Sequence, residues 1–426
     1  MSQGLAEHYP PLTRHEALVE ANRCLYCFDA PCTHACPTHI DIPKFIKKIS
    51  TDNLTGSARA IFDSNLIGAT CARVCPVQEL CEGACVLQSE PRPIMIGRLQ
   101  RYAMDHAYTS GQLPFSAPSD SGFSIGVVGA GPAGLSCAGE LRRRGHAVTI
   151  YEKRDMAGGL STYGIISLRE PVPVALAEVE MLKRLGVTVD TAKTVGGNLS
   201  FSKVRSTHDA VFLAVGLGST PSLGIPGEEH LLDGLAYIEQ SKLARVSVGR
   251  KVVVIGAGNT AVDCATIARR AGAEQVTIIY RRTDREMTAY PHEYDFIKKE
   301  GVEFRFLTQP VAASATELTC VRMSLGAPDA SGRAAPEPVP GSEFELPADQ
   351  IVKAIGQKKP WLAADLGLTT EQGLIVVSDD FETRVKGVYA GGDAIRSRGA
   401  ASTVMAVQDG KMAAQAIHMS LEARRG

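Results

Sequence analysis

The sequence predicts an α/β protein: two Rossmann-like dinucleotide-binding folds preceded by an α-helical, cysteine-rich domain. Three observations predict it. A strand pattern at 124–128 runs into Gly129-Ala130-Gly131-Pro132-Ala133-Gly134 and an alanine-rich helix, and a second strand, Val148 to Tyr151, ends at Glu152. The same plan recurs at Lys251 to Ile255, Gly256-Ala257-Gly258-Asn259-Thr260-Ala261, a helix, and Val276 to Tyr280. Eight of the eleven cysteines lie before position 86, in a stretch that otherwise reads as short helices.

The helical region comes first. Thr13 can cap a helix with Ala17, Leu18 and Ala21 on one face, and residues 43–50 and 56–66 fit short amphipathic helices. Within it stand Cys24-x2-Cys27-x4-Cys32-x3-Cys36-Pro37 and Cys71-x3-Cys75-Pro76-x4-Cys81-x3-Cys85. Cysteines two to four residues apart on a turning backbone aim several thiolates at one cubane, and a run often lends a ligand to a neighbouring cluster. Two such runs suggest two [4Fe–4S] clusters. Sets of four thiolates also hold structural zinc, and cysteines pair as disulfides in secreted chains. Met1 to Asn22 is polar and lacks an apolar signal core. A reducing, cytoplasmic location is expected, which disfavours disulfides.

A Gly-, Ser- and Pro-rich stretch from Ser110 to Gly122 reads as a linker. Beyond it, the first glycine loop is a full G-x-G-x-x-G between strand and helix. Its glycines let backbone N–H groups approach a pyrophosphate, and Glu152 can accept from ribose hydroxyls. In the second fold Tyr280 stands where Glu152 stands in the first, and Arg281 and Arg282 follow. A carboxylate there would repel a 2′-phosphate, whereas arginine suits one, so NADPH is favoured over NADH. The alternative is that these arginines only pair with Asp284 or Glu286.

Further segments assign the flavin to the first fold. Gly158-Gly159-Leu160 follows Glu152 and can pass beside an isoalloxazine. Asp393, after Gly391-Gly392, can bond the ribityl chain or pyrophosphate. A helix from about Ser402 to Leu421 can aim its positive end at the flavin. Strands Phe212 to Gly218 and Ile351 to Gln357 bracket the second fold as hinges. The expected domains are 1–115 for iron–sulfur, 123–235 and 352–426 for FAD, and 236–351 for NAD(P)H. The segment Gly326 to Gly341 reads as a surface loop.

A nicotinamide gives two electrons as hydride, a cubane takes one, and a flavin can do both. The chain thus reads as an electron-transfer flavoprotein. Hydride transfer needs contact and orientation, so no general acid or base is named. The flavoprotein half has no C-x-x-C, which argues against thiol–disulfide exchange. Cys137, Cys264 and Cys320 read as buried small hydrophobes, and His34 and His39 as structural. A net charge of −1 offers no field for nucleic acid, and no stretch of about 18 apolar residues spans a membrane.

From Cys24 onward these motifs resemble the small NAD(P)H-oxidising subunit of bacterial dihydropyrimidine dehydrogenase, built on the glutamate synthase small-subunit plan, with glutathione-reductase-like FAD and NAD(P) domains. The resemblance implies Cys24, Cys27, Cys32 and Cys85 for one cluster, and Cys36, Cys75 and Cys81 for three corners of the other. It implies Gln100 as the fourth corner. The residues alone would take Cys71. Flavin contacts implied are Gly129, Ala130, Gly131, Pro132, Ala133, Glu152, Gly159, Leu160, Arg169, Gly392, Asp393 and Thr403. Nucleotide contacts implied are Gly256, Ala257, Gly258, Asn259, Thr260, Arg281 and Arg282. After Leu160 the family's usual Ile-Pro-x-Phe-Arg-Leu-Pro is replaced by Ile165-Ile166-Ser167-Leu168-Arg169-Glu170-Pro171. The resemblance further implies a large FMN-containing partner that takes electrons from the second cluster and reduces uracil or thymine. A glutamate synthase small subunit, and a zinc-stabilised interaction protein with vestigial nucleotide folds, are the competing readings.

Overall fold

The computed structural model describes residues 7–111, 115–116, 118–328, 332–360, 362–396 and 402–425. Residues 112–114 and 117 of the expected linker, and 329–331 of the expected loop, lie outside the described residues.

Six helices form the amino-terminal part: α1 (Arg14–Asn22), α2 (Pro31–Ala35), α3 (Ile42–Ser50), α4 (Leu54–Phe62), α5 (Gly68–Val74) and α6 (Ile96–Ser110). Local chemistry sets their ends. Thr13 and Glu16 make a reciprocal capping box for α1, Asp41 caps α3, and Asn53 caps α4. Gly111, at φ +65°, stops α6.

The first nucleotide fold follows: β1 (Ser124–Val128), α7 (Pro132–Arg142), β2 (Ala147–Tyr151), α8 (Leu160–Tyr163), α9 (Val172–Arg184), β3 (Thr188–Asp190), α10 (Phe201–Thr207) and β4 (Ala210–Leu213). The second holds β5 (Leu231–Asp233), α11 (Gly234–Lys242), β6 (Lys251–Ile255), α12 (Asn259–Arg270), β7 (Gln275–Ile279), α13 (Pro291–Lys299) and β8 (Glu303–Arg305). It continues through β9 (Thr308–Ala313), β10 (Glu317–Pro328), β11 (Ala334–Pro338), β12 (Phe344–Pro347) and β13 (Gln350–Lys353). The chain closes with α14 (Leu362–Asp365), β14 (Thr370–Glu371), β15 (Leu374–Ile375), β16 (Val388–Ala390) and α15 (Thr403–Glu422).

Two parallel sheets result, ordered β16-β4-β1-β2-β3 and β5-β13-β6-β7-β8. Parallel strands need both faces covered, and β1 and β6 are each buried at four of five positions. The chain forms two compact units. One holds 8–162, 169–217 and 359–426; the other holds 163–168 and 218–358. The crossings therefore fall at 217/218 and 358/359, not at 235/236 and 351/352. The reason is pairing: β13 adds to β6 on one side and to β5 on the other, so both flanking strands belong to the second sheet. The strand expected at 351–357 is observed as Gln350–Lys353, an interior strand of that sheet.

The segment 326–341 is also corrected. Here β10 and β11 pair antiparallel, with Leu325 opposite Pro336 and Met323 opposite Pro338. β11 sits at the sheet edge, where proline's missing N–H costs nothing. That is why a Pro-rich string could be a strand. In the first unit a single apolar core joins the helical part, through Phe45, Phe62 and Leu99, to the nucleotide fold, through Ile125, Leu182 and Ile417.

Candidate functional site

Two neighbouring cavities lie in the helical part. Cys24, Cys27, Cys32 and Cys85 line the first, with Ile42, Ile46 and Ile94 among its apolar walls. Cys36, Cys71, Cys75, Cys81 and Gln100 line the second, together with Asn65 and Val404. Ile42, only 2% exposed, lines both. Both cysteine runs contribute to the first cavity, since Cys85 crosses over from the second run. Among the described residues, no three His, Cys, Asp or Glu side chains converge on a point that could hold a single metal ion. The thiols ring the two cavities. Burial pushes the Cys32 thiol up to about 11 and Cys81 further above the ordinary range, so thiolates there need a bound cation.

Both candidates for the eighth ligand reach the second cavity. The Gln100 amide is oriented by Nε2, which donates to Gly68 O at 2.8 Å, and no described protein group donates to its Oε1. Cys71 lies on α5 and Cys75 caps that helix; a bond to Cys71, then burial, holds the Cys75 thiol well above the ordinary range.

The turn that carries these groups is fastened from the flavin side. The N-cap of α5, Ile67, offers no side-chain bond. Glu178, on α9, supplies it: Oε1 accepts from Ala69 N at 2.8 Å and Thr70 N at 3.0 Å. Thr70 Oγ1 lies 2.5 Å from both Glu178 Oε2 and Glu170 Oε1. A hydroxyl has one proton to donate, so one of the two carboxyls is a neutral acid donating to it. Burial first, and Glu170 second, push the Glu178 carboxyl up to about 8.

In the first nucleotide fold, α7 starts at Gly131 with no side-chain cap, leaving its N–H groups for a ligand anion. Gly159, at φ +59°, approaches so closely that a Cβ would sit 2.7 Å from Gly131 Cα. Gly158 N donates to Ala130 O at 2.9 Å. Gly129 to Ala133 and Gly158 to Leu160 thus form one cradle. Glu152, 5% exposed, accepts from Ala130 N at 2.8 Å and Arg154 N at 2.9 Å. Helix α15 packs on α7: Ser136 Oγ donates to Val407 O at 2.7 Å, and a Cβ on Gly410 would meet Ala133 O at 2.2 Å. Ser402 caps α15 through Met405 N, and Thr403 is its first residue. Gly392 N donates to Asp409 Oδ2 at 2.9 Å, and Arg396 also bonds that oxygen. Burial raises the Asp393 carboxyl. Asp409 escaped the sequence reading; its only signal is an acid inside an apolar helix. Arg169 is half-buried beside the crossing at 168/169. Ile166 and Leu168, in the segment that departs from the family motif, are core residues of the second unit.

In that unit α12 likewise starts at an uncapped glycine, Gly258. Ala257 O accepts from Thr288 N and Ala289 N, and Asn259 Oδ1 accepts from Tyr290 N at 3.0 Å. Gly256, Asn259 and Thr260 complete the loop. The arginine pair is split. Arg281 is exposed; Arg282 is 3% exposed and donates Nε to Ala334 O at 2.8 Å. Of the two, Arg281 is the one that faces solvent.

Residues 123–410 match the family model described as pyridine nucleotide-disulphide oxidoreductase, and residues 2–112 match that described as dihydropyrimidine dehydrogenase domain II, 4Fe-4S cluster. The chain belongs to the pyridine nucleotide-disulphide oxidoreductase family. It is 33% identical to the glutamate synthase [NADPH] small chain of Escherichia coli, over 98% of this chain and 94% of that one. It is 37% identical to the NADP(+)-dependent formate dehydrogenase subunit beta of Moorella thermoacetica, over 92% of this chain but 60% of that one. The fold is that of FprA from Mycobacterium tuberculosis (TM-score 0.58, 19% identity, 71% of this chain and 85% of that). It is also that of thioredoxin reductase from T. acidophilum (TM-score 0.54, 22% identity, 70% of this chain and 99% of that). The protein is an electron-transfer oxidoreductase of the FAD, NADP(H) and iron–sulfur kind. Among its described residues no helix is long and apolar enough to cross a membrane.

Proposed function

We propose that this chain is the electron-input subunit of a hetero-oligomeric, dihydropyrimidine dehydrogenase-type enzyme. The observation that carries the reading is the pair of adjoining cysteine-lined cavities, one of them walled by a residue of the flavin-side helix α15. When bound, FAD takes hydride from NADPH and releases electrons singly, and two [4Fe–4S] clusters carry them onward. Cys24, Cys27, Cys32 and Cys85 would hold one cluster; Cys36, Cys75, Cys81 and Gln100 the other. The uncapped start of α7 and the Gly159 cradle would hold the FAD pyrophosphate, with Glu152 fixing the loop that bears Ala130. The Gly258 turn would hold the NADPH pyrophosphate, and Arg281 its 2′-phosphate.

Val404 supports an order. It lines the second cavity and follows Thr403, a residue assigned to the flavin. Electrons would therefore enter at the Cys36–Cys75–Cys81 site and leave by the Cys24–Cys27–Cys32–Cys85 site. This reverses the expectation that a partner draws on the second cluster. Exposed Leu25 and Val86 line the first cavity, and fully exposed Phe28 follows Cys27. They form the exit face. The partner is a large FMN subunit that interconverts uracil or thymine and the 5,6-dihydropyrimidine. Gln100 favours it through the resemblance. The length-matched likeness to a glutamate synthase small chain favours a second reading, with that enzyme's large chain as partner.

The test is reconstitution. Anaerobically isolated chain is mixed with an FMN pyrimidine subunit or with a glutamate synthase large chain. Uracil-dependent NADPH oxidation with the first alone is expected. Turnover only with the second would replace the pyrimidine assignment, and preparations lacking iron and sulfide would overturn the electron-input reading itself.

A further inference from the structure

Lys411 stands on α15, seven residues after Val404, so the two share a helix face. From that face its ammonium reaches the iron–sulfur part. Nζ donates to Thr38 O at 3.1 Å and Ser64 O at 3.2 Å. Both carbonyls belong to residues next in sequence to ones that line the second cavity, Pro37 and Asn65. Thr38 lies two residues past Cys36, and its Oγ1 is 3.5 Å from Cys36 Sγ. Ser64 precedes Asn65, which lines the cavity and whose Oδ1 accepts from Ile67 N at 3.0 Å just before α5. One lysine thus ties two segments that contribute to that cavity to the flavin-side helix.

The ammonium makes no ion pair among the described residues; its partners are neutral carbonyls. Burial works hardest against its charge, Arg143 and Arg144 also oppose it, and Glu140 and Cys36 favour it. A half-buried cation without a carboxylate costs stability unless an anion compensates. A thiolate-ligated cubane is such an anion, more so after gaining an electron, and a nearby cation raises its potential. We infer that Lys411 is a positioning residue that clamps the second cavity to α15 and raises the reduction potential of the cluster held there, favouring electron transfer from reduced flavin into it. This rests on the functional reading above.

The experiment uses the full chain, isolated anaerobically, with each cluster titrated chemically and followed by electron paramagnetic resonance. Lys411→Gln keeps a donor and removes the charge; Lys411→Arg keeps the charge. For Lys411→Gln, the reduced-to-oxidised ratio of one cluster at fixed potential should fall about tenfold, equivalent to about 59 mV. The other cluster and the flavin should not move, and Lys411→Arg should stay within about twofold of wild type. A Gln variant with full iron and unshifted potentials overturns the inference. If the Gln variant loses iron, Lys411→Arg decides: retained iron and potential uphold the inference, and loss of either overturns it. Wild-type clusters that titrate chemically yet resist NADPH would sink the functional reading alone.

Discussion

The two cysteine cavities share a wall at Ile42 but differ in their surroundings. The first takes four thiols from two sequence runs and is lined by Leu25 and Val86, 62% and 51% exposed, with fully exposed Phe28 following Cys27. The second takes thiols from both runs plus an amide, and is fastened to the flavin part by Val404, Lys411 and Glu178. On the proposed order, the outer site would serve access and the inner site a fixed distance to the flavin. The difference teaches that similar cysteine spacing does not imply equivalent roles; the surrounding elements assign them.

Removing the inner site should have the largest effect. Cys81→Ala should remove about half the iron and abolish NADPH-driven reduction of an external acceptor protein, while hydride transfer to the flavin, read at its visible band, persists. Near-normal acceptor reduction would break the proposed order. The next comparison settles the eighth ligand. Gln100→Leu should strip the inner cluster, whereas Cys71→Ala should retain it; the opposite pattern in iron analysis and paramagnetic resonance would hand the role to Cys71.

Fastening can be broken separately. Glu178→Ala strands two buried N–H groups and should destabilise the first unit by about 3 kcal/mol, read by calorimetry. Its pH dependence has a defined sign. The Glu178 carboxyl is up to about 8 in the fold against 4.5 unfolded, and Glu82, raised by burial to about 7, acts the same way. The folded state therefore holds protons that the unfolded chain releases. The contribution is fully present below pH 4.5 and is lost as pH rises through 7 to 8. Glu178→Gln should flatten that fall; an unchanged profile would remove Glu178 as its source. The smallest effect on the isolated chain belongs to the outer rim. Phe28→Asp should leave unfolding within about 0.5 kcal/mol of wild type yet weaken partner binding in a titration, and unaltered binding would move the exit face elsewhere.

Much of this was legible in the chain. The glycine turns at Gly129 and Gly256 stand between strand and helix because a backbone must turn tightly there, and Thr13 and Glu16 announce α1 by their spacing. Cysteine spacing marked out the thiols of both cavities. Two things were not legible. The strand at 334–338 hid behind its prolines, since only its edge position makes them harmless. Arg281 and Arg282 look alike in sequence, yet the carbonyl of Ala334, 52 residues on, removes one from solvent.

The sequence by itself determined which residues turn, cap and carry sulfur, because those properties depend on neighbours a few bonds away. Tertiary structure alone decided that Glu178 caps a helix 108 residues before it and that Lys411 reaches Thr38. Such pairings depend on packing between distant segments, and no local rule of spacing encodes where a folded core will bring them together.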